Sequence, residues 1–182
     1  MNELAHSHID LVPIFLSGWP ALLGRVAAGV ERTFALAVEV RPPWFDPEDA
    51  YEPARGQYHS TRLLERLLTS PRRRAARVLG VTAVDLFVPV LTYVFGEAQL
   101  GGRAAVVSIH RLRPEAYGLP ADDELVAARA EKEALHELGH TWGLRHCHAP
   151  DCVMHASTYA EEIDLKPAAL CDRCLAAMRD GA

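Results

Sequence analysis

The stretch His136-Glu137-Leu138-Gly139-His140 constrains this chain more than any other part of it. On an α-helix, positions i and i+4 differ by about 40° in azimuth, so both imidazoles face one way and can share one ion. Glu137, beside the first of them, can reach a water on that ion without ligating it. Gly139 is expected to leave the ion room on the side where a side chain would crowd it. Gly143 then allows a sharp turn that a residue with a Cβ resists. His146 follows three residues later, placed to come back at the ion as a third ligand. With five positions fixed, chance occurrence is on the order of 10⁻⁴. A run of surface histidines on a polar helix therefore explains the string poorly, although it would suffice for any one of these histidines alone.

The cysteines point to the same end of the chain. All four (Cys147, Cys152, Cys171 and Cys174) lie in the last 36 residues, and five of the nine histidines lie between His136 and His155. Two close pairs of thiolates suit a closed tetrahedral zinc site, with Zn–S about 2.3 Å. Four sulfur ligands leave no open position, so this site reads as structural. Three histidines leave one position open, so that site reads as catalytic. Two zinc ions per chain are expected. Met154 could form an apolar floor beneath the histidines, although a lone Met is more often ordinary core. His148 and His155 read as loop or surface residues, and Tyr159 is given no role.

The rest of the chain reads as a globular scaffold. Its 182 residues suffice for one core, and apolar and charged contents of 49% and 24% argue against disorder. A net charge of −5 excludes nucleic-acid or membrane binding driven by bulk charge. Arg72-Arg73-Arg74 is too short to alter that and reads as a turn before a strand. No secretory signal is evident, since Asp10 and Pro13 interrupt the apolar stretch Ile9 to Leu16. Leu79 to Gly96 carries a single charge, Asp85, but Pro89 and its β-branched and aromatic residues favour two buried strands over a spanning helix.

Hydrophobic periodicity predicts strands at Ile9 to Phe15, Ala35 to Arg41, from Ala75 to Leu79, at Val88 to Phe95, and at Ala104 to Ile109. Helices are predicted at Pro20 to Phe34, from a cap at Ser60 or Thr61 through Leu68 with Pro71 as the stop, at Ala121 to Gly143, and from Asp164 to Met178. In the last, Asp164 would be the cap and Pro167 would sit in the first turn. Arg41 to Gln57 reads as a surface loop whose Trp44 and Phe45 fold back on the core. Strands alternating with helices in the first half predict a mixed α/β sheet.

The string from Lys132 to Cys174 resembles the archaemetzincins, a zinc-peptidase family of the metzincin clan. The likeness rests on H-E-x-x-H-x-x-G-x-x-H fused to four cysteines, with a Met between the second and third Cys. Here these are His136, Glu137, His140, Gly143, His146, Cys147, Cys152, Met154, Cys171 and Cys174. Arg55 to Ser60, Leu79 to Thr82 with Asp85-Leu86, and Val94 to Ala98 are similar to family segments. The spacing from Met154 to Cys171 is one residue shorter than the commonest form. The resemblance implies an α/β (α+β) metzincin-like fold. It would comprise a mixed five-stranded sheet, an active-site helix and a small C-terminal four-cysteine zinc subregion. The whole chain, 1–182, would form one peptidase domain, with the sheet-bearing part in 1–120 and the zinc-binding part in 121–182. In such folds an antiparallel edge strand lies above the cleft; it best matches Thr92 to Leu100, so Thr92, Tyr93, Val94, Phe95, Gly96, Glu97 and Ala98 become candidate substrate-binding residues.

The function expected is hydrolysis of peptide bonds by a zinc-activated water, with Glu137 as general base. The competing reading is a non-catalytic zinc-binding scaffold or adaptor, which leaves Glu137 unexplained. A nucleic-acid-binding zinc finger fits the cysteines alone and fails on charge and on the three histidines. The expected protein is a cytoplasmic monomer acting on peptides or proteins, with no nucleic-acid or membrane partner.

Overall fold

The computed structural model describes residues 8–70 and 75–180. Pro71 and the run Arg72 to Arg74, read above as a helix stop and a turn, lie outside the described residues. In chain order the elements are β1 (His8–Ile14), α1 (Pro20–Phe34), β2 (Ala37–Val40), β3 (Tyr51–Glu52), β4 (Gln57–His59), α2 (Ser60–Leu68), β5 (Arg77–Thr82), β6 (Leu86–Phe87), β7 (Gly96–Ala98), β8 (Ala104–Ser108), α3 (Asp123–Thr141), α4 (Ala160–Leu165) and α5 (Asp172–Asp180). No helix among the described residues is long and apolar enough to cross a membrane.

The main sheet has the order β2-β1-β5-β8-β7. Its first four strands run parallel, and β7 pairs antiparallel to β8 at the edge. This is the mixed five-stranded sheet that the sequence implies. The central strands are apolar almost throughout because helices cover both of their faces. On one face Ile9, Leu11, Leu79 and Val107 share a core with Val26 of α1 and Leu135 of α3. On the other, Val12, Ile14, Val78 and Val106 pack with Leu63 and Leu67 of α2. A small second sheet, β3-β4-β6, starts in the segment read as loop, which contains β3 and the first residue of β4. Trp44 folds back as expected, and its indole N–H donates to the Arg66 carbonyl at 3.2 Å.

α3 carries the histidine string and is capped by Asp122, whose carboxylate accepts from the Leu125 N–H at 2.9 Å. It is buried on most of its surface. Glu131, 4% exposed, faces α1 and is held there by Arg25 at 2.8 Å and Arg32 at 2.6 Å. At the C-terminal end Trp142 stacks on Phe34 with ring centroids 4.4 Å apart. The helix is thereby fixed against α1 on one side and against β7 and β8 on the other.

Four expectations need correction. The strand predicted from Ala75 to Leu79 begins instead at Arg77 and continues through Gly80 to Thr82. Val88 to Phe95 is not a strand. Pro89 has no N–H to give a ladder, and the carbonyls of Leu91 and Thr92 accept from Arg55 instead, at 3.0 and 2.9 Å. Ser60 and Thr61 do not cap α2 but occupy its first turn, where both hydroxyls bind the Glu97 carboxylate. The tail forms two helices rather than one. Lys166 is extended (φ −91°, ψ 148°), as a residue before proline prefers, so α4 stops before Pro167 and α5 starts at Asp172. Asp164 lies inside α4 and pairs with Arg129 at 2.6 Å.

The irregular segment between β6 and β7 is held by side chains. Asp85 accepts from Arg111 at 2.9 and 2.5 Å and from Gln57 at 3.0 Å, and Gln57 also donates to the Thr92 carbonyl at 3.0 Å. Burial pushes the Asp85 carboxyl up, but hydrogen bonds from Arg111 and Gln57 outweigh it and hold the group below the ordinary carboxylate range. A group with a depressed folded pKa stabilises the fold above its unfolded value, about 3.9, and that stabilisation is lost as pH falls through the folded value. Asp85→Asn should therefore cost about 1–3 kcal/mol at pH 7. Thermal melts of the two proteins should differ at neutral pH and converge as the solution becomes more acidic than about pH 4. Equal melting temperatures at pH 7 would contradict this account of the segment.

Candidate active site and metal centres

His136 and His140 project from one face of α3, and the chain reverses at Gly143 (φ +82°). The Gly143 N–H donates to the His140 carbonyl at 2.9 Å, and the Leu144 N–H to the Gly139 carbonyl at 3.2 Å. This reversal brings the His146 ring to 5.2 and 5.1 Å from the rings of His136 and His140. One ring nitrogen from each histidine falls within 4.8 Å of the others.

The tautomers follow from the neighbours. His136 Nδ1 lies 2.8 Å from the Val153 carbonyl and His140 Nδ1 lies 2.7 Å from the Leu144 carbonyl. A carbonyl can only accept, so both Nδ1 atoms carry the proton. Burial lowers His136 well below the ordinary imidazole range and lowers His140 in the same direction, which favours the neutral form. Each Nε2 is then a bare lone pair, and the two face each other at 3.2 Å. Two lone pairs repel at that distance unless a cation lies between them. Nitrogens bound to one tetrahedral zinc at 2.0–2.1 Å sit about 3.3 Å apart, so the donor set fits a zinc ion. The backbone carbonyls orient the rings, as outer partners do in zinc sites.

The four cysteines converge as a second group. Cys147 Sγ and Cys171 Sγ are 3.9 Å apart, and Cys152 Sγ and Cys174 Sγ are 3.7 Å apart. All four are free thiols with sulfurs within 4.8 Å of one another. Sulfurs on a tetrahedral zinc at 2.3 Å lie about 3.8 Å apart, so this group fits as well. Cys147 is held down to about 6 by the Ala149 backbone N–H, with Arg173, at 3.2 Å from its sulfur, acting in the same direction. Burial pushes Cys152 and Cys174 up. A cation in the group would offset that cost.

Met154 is fully buried and lies directly under α3. A Cβ on Gly139 would sit 2.4 Å from its sulfur. Gly139 therefore makes room for Met154 and not for an ion, which corrects the first expectation for that residue. Of the histidines given no metal role, His148 is exposed, and His155 uses Nδ1 on the Cys147 carbonyl at 3.1 Å. Neither belongs to either donor group.

A cleft of about 570 Å³ opens over His136 and His146. Its upper wall is the segment from Leu91 to Gly96, and Tyr159, 62% exposed, stands on the opposite rim. Glu137 lies in the cleft beside Gly96, where a Cβ would sit 2.6 Å from Glu137 Cγ and 2.7 Å from the Val106 carbonyl. Burial raises the Glu137 carboxyl well above its ordinary range, and the nearby charge of Glu133 adds to this.

The edge strand is shorter than the segment Thr92 to Ala98 singled out in the sequence. The Ser108 N–H donates to the Phe95 carbonyl at 2.7 Å, and the Gln99 N–H to the Ala104 carbonyl at 3.0 Å. In an antiparallel pair these groups alternate, so Gly96 and Ala98 turn their backbone N–H and C=O away from β8. Upstream, the Val94 N–H is taken by the Leu86 carbonyl at 2.9 Å. The Glu97 side chain is tied to α2 by Thr61 at 2.9 Å.

Sequence reading missed Glu133 and Lys166. Both are buried, at 4% and 2% exposure, and their charged groups meet at 3.0 Å within reach of the histidines. Glu133 was legible in principle, because it stands one helical turn before Glu137 on the ligand face. Its partner, 33 residues away, was not. A third gathering, His8, Asp10 and Glu39, lies on β1 and β2 at the other side of the sheet. Arg41 already contacts both of its carboxylates, 2.9 Å from Asp10.

A profile of peptidase family M54 matches residues 47–180. The archaemetzincin of Methanocaldococcus jannaschii is 44% identical over 142 residues, which span 78% of this chain and 77% of that protein. The crystal structure of the archaemetzincin from Methanopyrus kandleri superposes with a TM-score of 0.85 at 35% identity, covering 100% of this chain and 98% of that one. A zinc-dependent peptidase from Methanocorpusculum labreanum superposes with a TM-score of 0.81 at 28% identity, covering 93% and 99% of the two chains.

The contact between Gly139 and Met154 can be tested by stability alone. Gly139→Ala should cost about 1–3 kcal/mol through overpacking, more than the roughly 1 kcal/mol that Ala gains over Gly in a helix. Met154→Ala should cost about 2–5 kcal/mol through its cavity. Denaturant unfolding of the double variant should show a loss well short of the sum, because the added methyl then enters the space vacated. Strict additivity would rule out the contact.

Proposed function

This chain belongs to peptidase family M54, a family of zinc metallopeptidases, and we propose that it cleaves peptide bonds with Glu137 as general base beside a zinc ion held by His136, His140 and His146. Its substrates are peptides or proteins. The observation that carries the residue assignment is the pair of bare Nε2 atoms of His136 and His140, 3.2 Å apart, beside a cleft lined by His136, His146 and Glu137. A zinc ion there would supply a Lewis acid that polarises the scissile carbonyl and acidifies a water molecule.

The chain's own groups do the rest. Glu137 takes a proton from the attacking water and later delivers it to the leaving amine nitrogen, so the C–N bond breaks with its atoms and protons balanced. Its burial supports that role. A carboxylate raised toward neutrality both accepts and returns a proton more readily than one at its ordinary value. Gly96, lacking a side chain, lets Glu137 lie against β7 and keeps the wall of the cleft at backbone level. An extended substrate would pair with the outward groups of Gly96 and Ala98, independently of its sequence.

We assign the second zinc to Cys147, Cys152, Cys171 and Cys174 as a structural ion. Four sulfurs gathered at one point and joined by no disulfide also support a reducing compartment such as the cytoplasm.

Purified protein should carry two zinc ions per chain by metal analysis. Glu137→Gln should keep both, yet lose hydrolysis of a peptide library by roughly 10²-fold or more. Unchanged hydrolysis in that variant would remove Glu137 from the mechanism. For the binding mode, the decisive measurement is a complex with a peptide-like inhibitor bearing a zinc-binding head group. Its backbone should run antiparallel to β7 and pair at Gly96 and Ala98. An inhibitor that reaches the three histidines while leaving this edge untouched would overturn the pairing but not the chemistry.

A further inference from the structure

Glu133 has no part in the mechanism above, yet it lines the same cleft as His136, Glu137 and His146. On the helical wheel of α3 it stands between His136 and Glu137 in azimuth and one turn before them, and histidine side chains lean back over that turn. A carboxylate here would ordinarily be a candidate zinc ligand, since carboxylate oxygens join histidines in many zinc sites. It does not belong to the donor group of the three histidines. Its carboxylate is turned instead to Lys166 Nζ at 3.0 Å, and that ammonium, 2% exposed, also donates to the His155 carbonyl at 3.0 Å.

We propose that Lys166 is a positioning residue that holds Glu133 away from the zinc held by His136, His140 and His146, so that the ion keeps a place for water and substrate. The proposal rests on the three-histidine reading of the site. A buried carboxylate without a partner is drawn strongly to a nearby dication, because the dielectric there is low. Three histidines and a carboxylate make a closed set of four protein ligands, which is the arrangement of a structural site and not of a catalytic one. Lys166 prevents this by supplying the countercharge first, at 3.0 Å from Glu133. Its hydrogen bond to His155 fixes where the ammonium stands. A plain stabilising ion pair would tie α3 to the segment after Met154 equally well, but it would have no effect on how the histidine zinc is held.

The two ideas separate in the variants Lys166→Met and Glu133→Gln/Lys166→Met. In the first, Glu133 is released. Zinc at the histidines should leave to a chelator at least roughly 10-fold more slowly than in the wild type, while the cysteine zinc, as internal control, leaves at the same rate. With cobalt(II) in the histidine site the visible absorption bands should move, because an oxygen donor has changed. Hydrolysis should fall through kcat by roughly 10²-fold. The double variant should return zinc release, the cobalt spectrum and most of kcat toward wild-type values. Where metal-free Lys166→Met does not fold, zinc should rescue it, since the ion becomes the carboxylate's partner. Zinc release as fast as in the wild type, or a single variant that excess zinc does not rescue while the double variant folds, overturns the proposal. A wild type with no ion at the histidines overturns the underlying reading and this one with it.

Discussion

Four consecutive residues, Cys152 to His155, hold the chemistry of this protein together. The Val153 carbonyl orients His136 at 2.8 Å, and its N–H is anchored to the Ala169 carbonyl at 2.8 Å. The Met154 side chain fills the space left by Gly139, and its carbonyl accepts from the Cys147 N–H at 2.9 Å. Cys152 contributes a sulfur, and the His155 carbonyl receives Lys166. One turn thus touches both donor groups and the guard on Glu133. The sulfur group and the histidine group are also adjacent in sequence at His146-Cys147. Disturbing either group must move the backbone that orients the other. A closed metal site, which contributes folding energy directly, is well suited to hold such a turn still.

The sheet supplies the opposite wall by its order alone. Because β8 lies between β5 and β7, the single antiparallel strand is left at an edge with α3 crossing beneath it. Antiparallel pairing can start and stop within three residues, and here it does. The wall above the cleft is therefore mostly irregular backbone, held by Arg55, Gln57, Asp85 and Arg111 rather than by a ladder. These four side chains determine how far the upper rim stands from the histidines, although none of them lines the cleft.

What could be read from the sequence was what local spacing encodes. A helix repeat of 3.6 residues puts His136 and His140 on one face, whatever surrounds them, and a glycine three residues before His146 announces the reversal. Strand and helix positions in the parallel part of the sheet were visible as apolar runs, since burial on both faces leaves little choice of residue. The failures fall where side chains and not the backbone set the structure. Val88 to Phe95 has a strand's composition, but its backbone and Tyr93 meet a polar network whose members come from three distant segments. The tail reads as one helix when Asp164 is taken as its cap and Pro167 as a first-turn residue, whereas Pro167 sets a break by acting on the residue before it. Gly139 was assigned to the ion because the methionine beneath it lies outside the local window.

The charge distribution along α3 brings these points to the reaction itself. The helix buries three carboxylates within seven residues: Glu131, Glu133 and Glu137. Burying an ionised carboxylate costs several kcal/mol unless a cation accompanies it. Glu131 has Arg25 and Arg32, and Glu133 has Lys166. Among the described residues no ion pair reaches Glu137, and burial together with Glu133 raises its pKa. The helix thus has two acids that meet a cation and one that meets none among the described residues. A proton acceptor must be of the second kind, because a carboxylate already satisfied by a guanidinium or an ammonium gains little from a proton. Lys166 acts on Glu137 as well, because its positive charge opposes the rise that burial and Glu133 impose there. The placing of one ammonium between the active-site helix and the turn after Met154 therefore serves both carboxylates in the cleft.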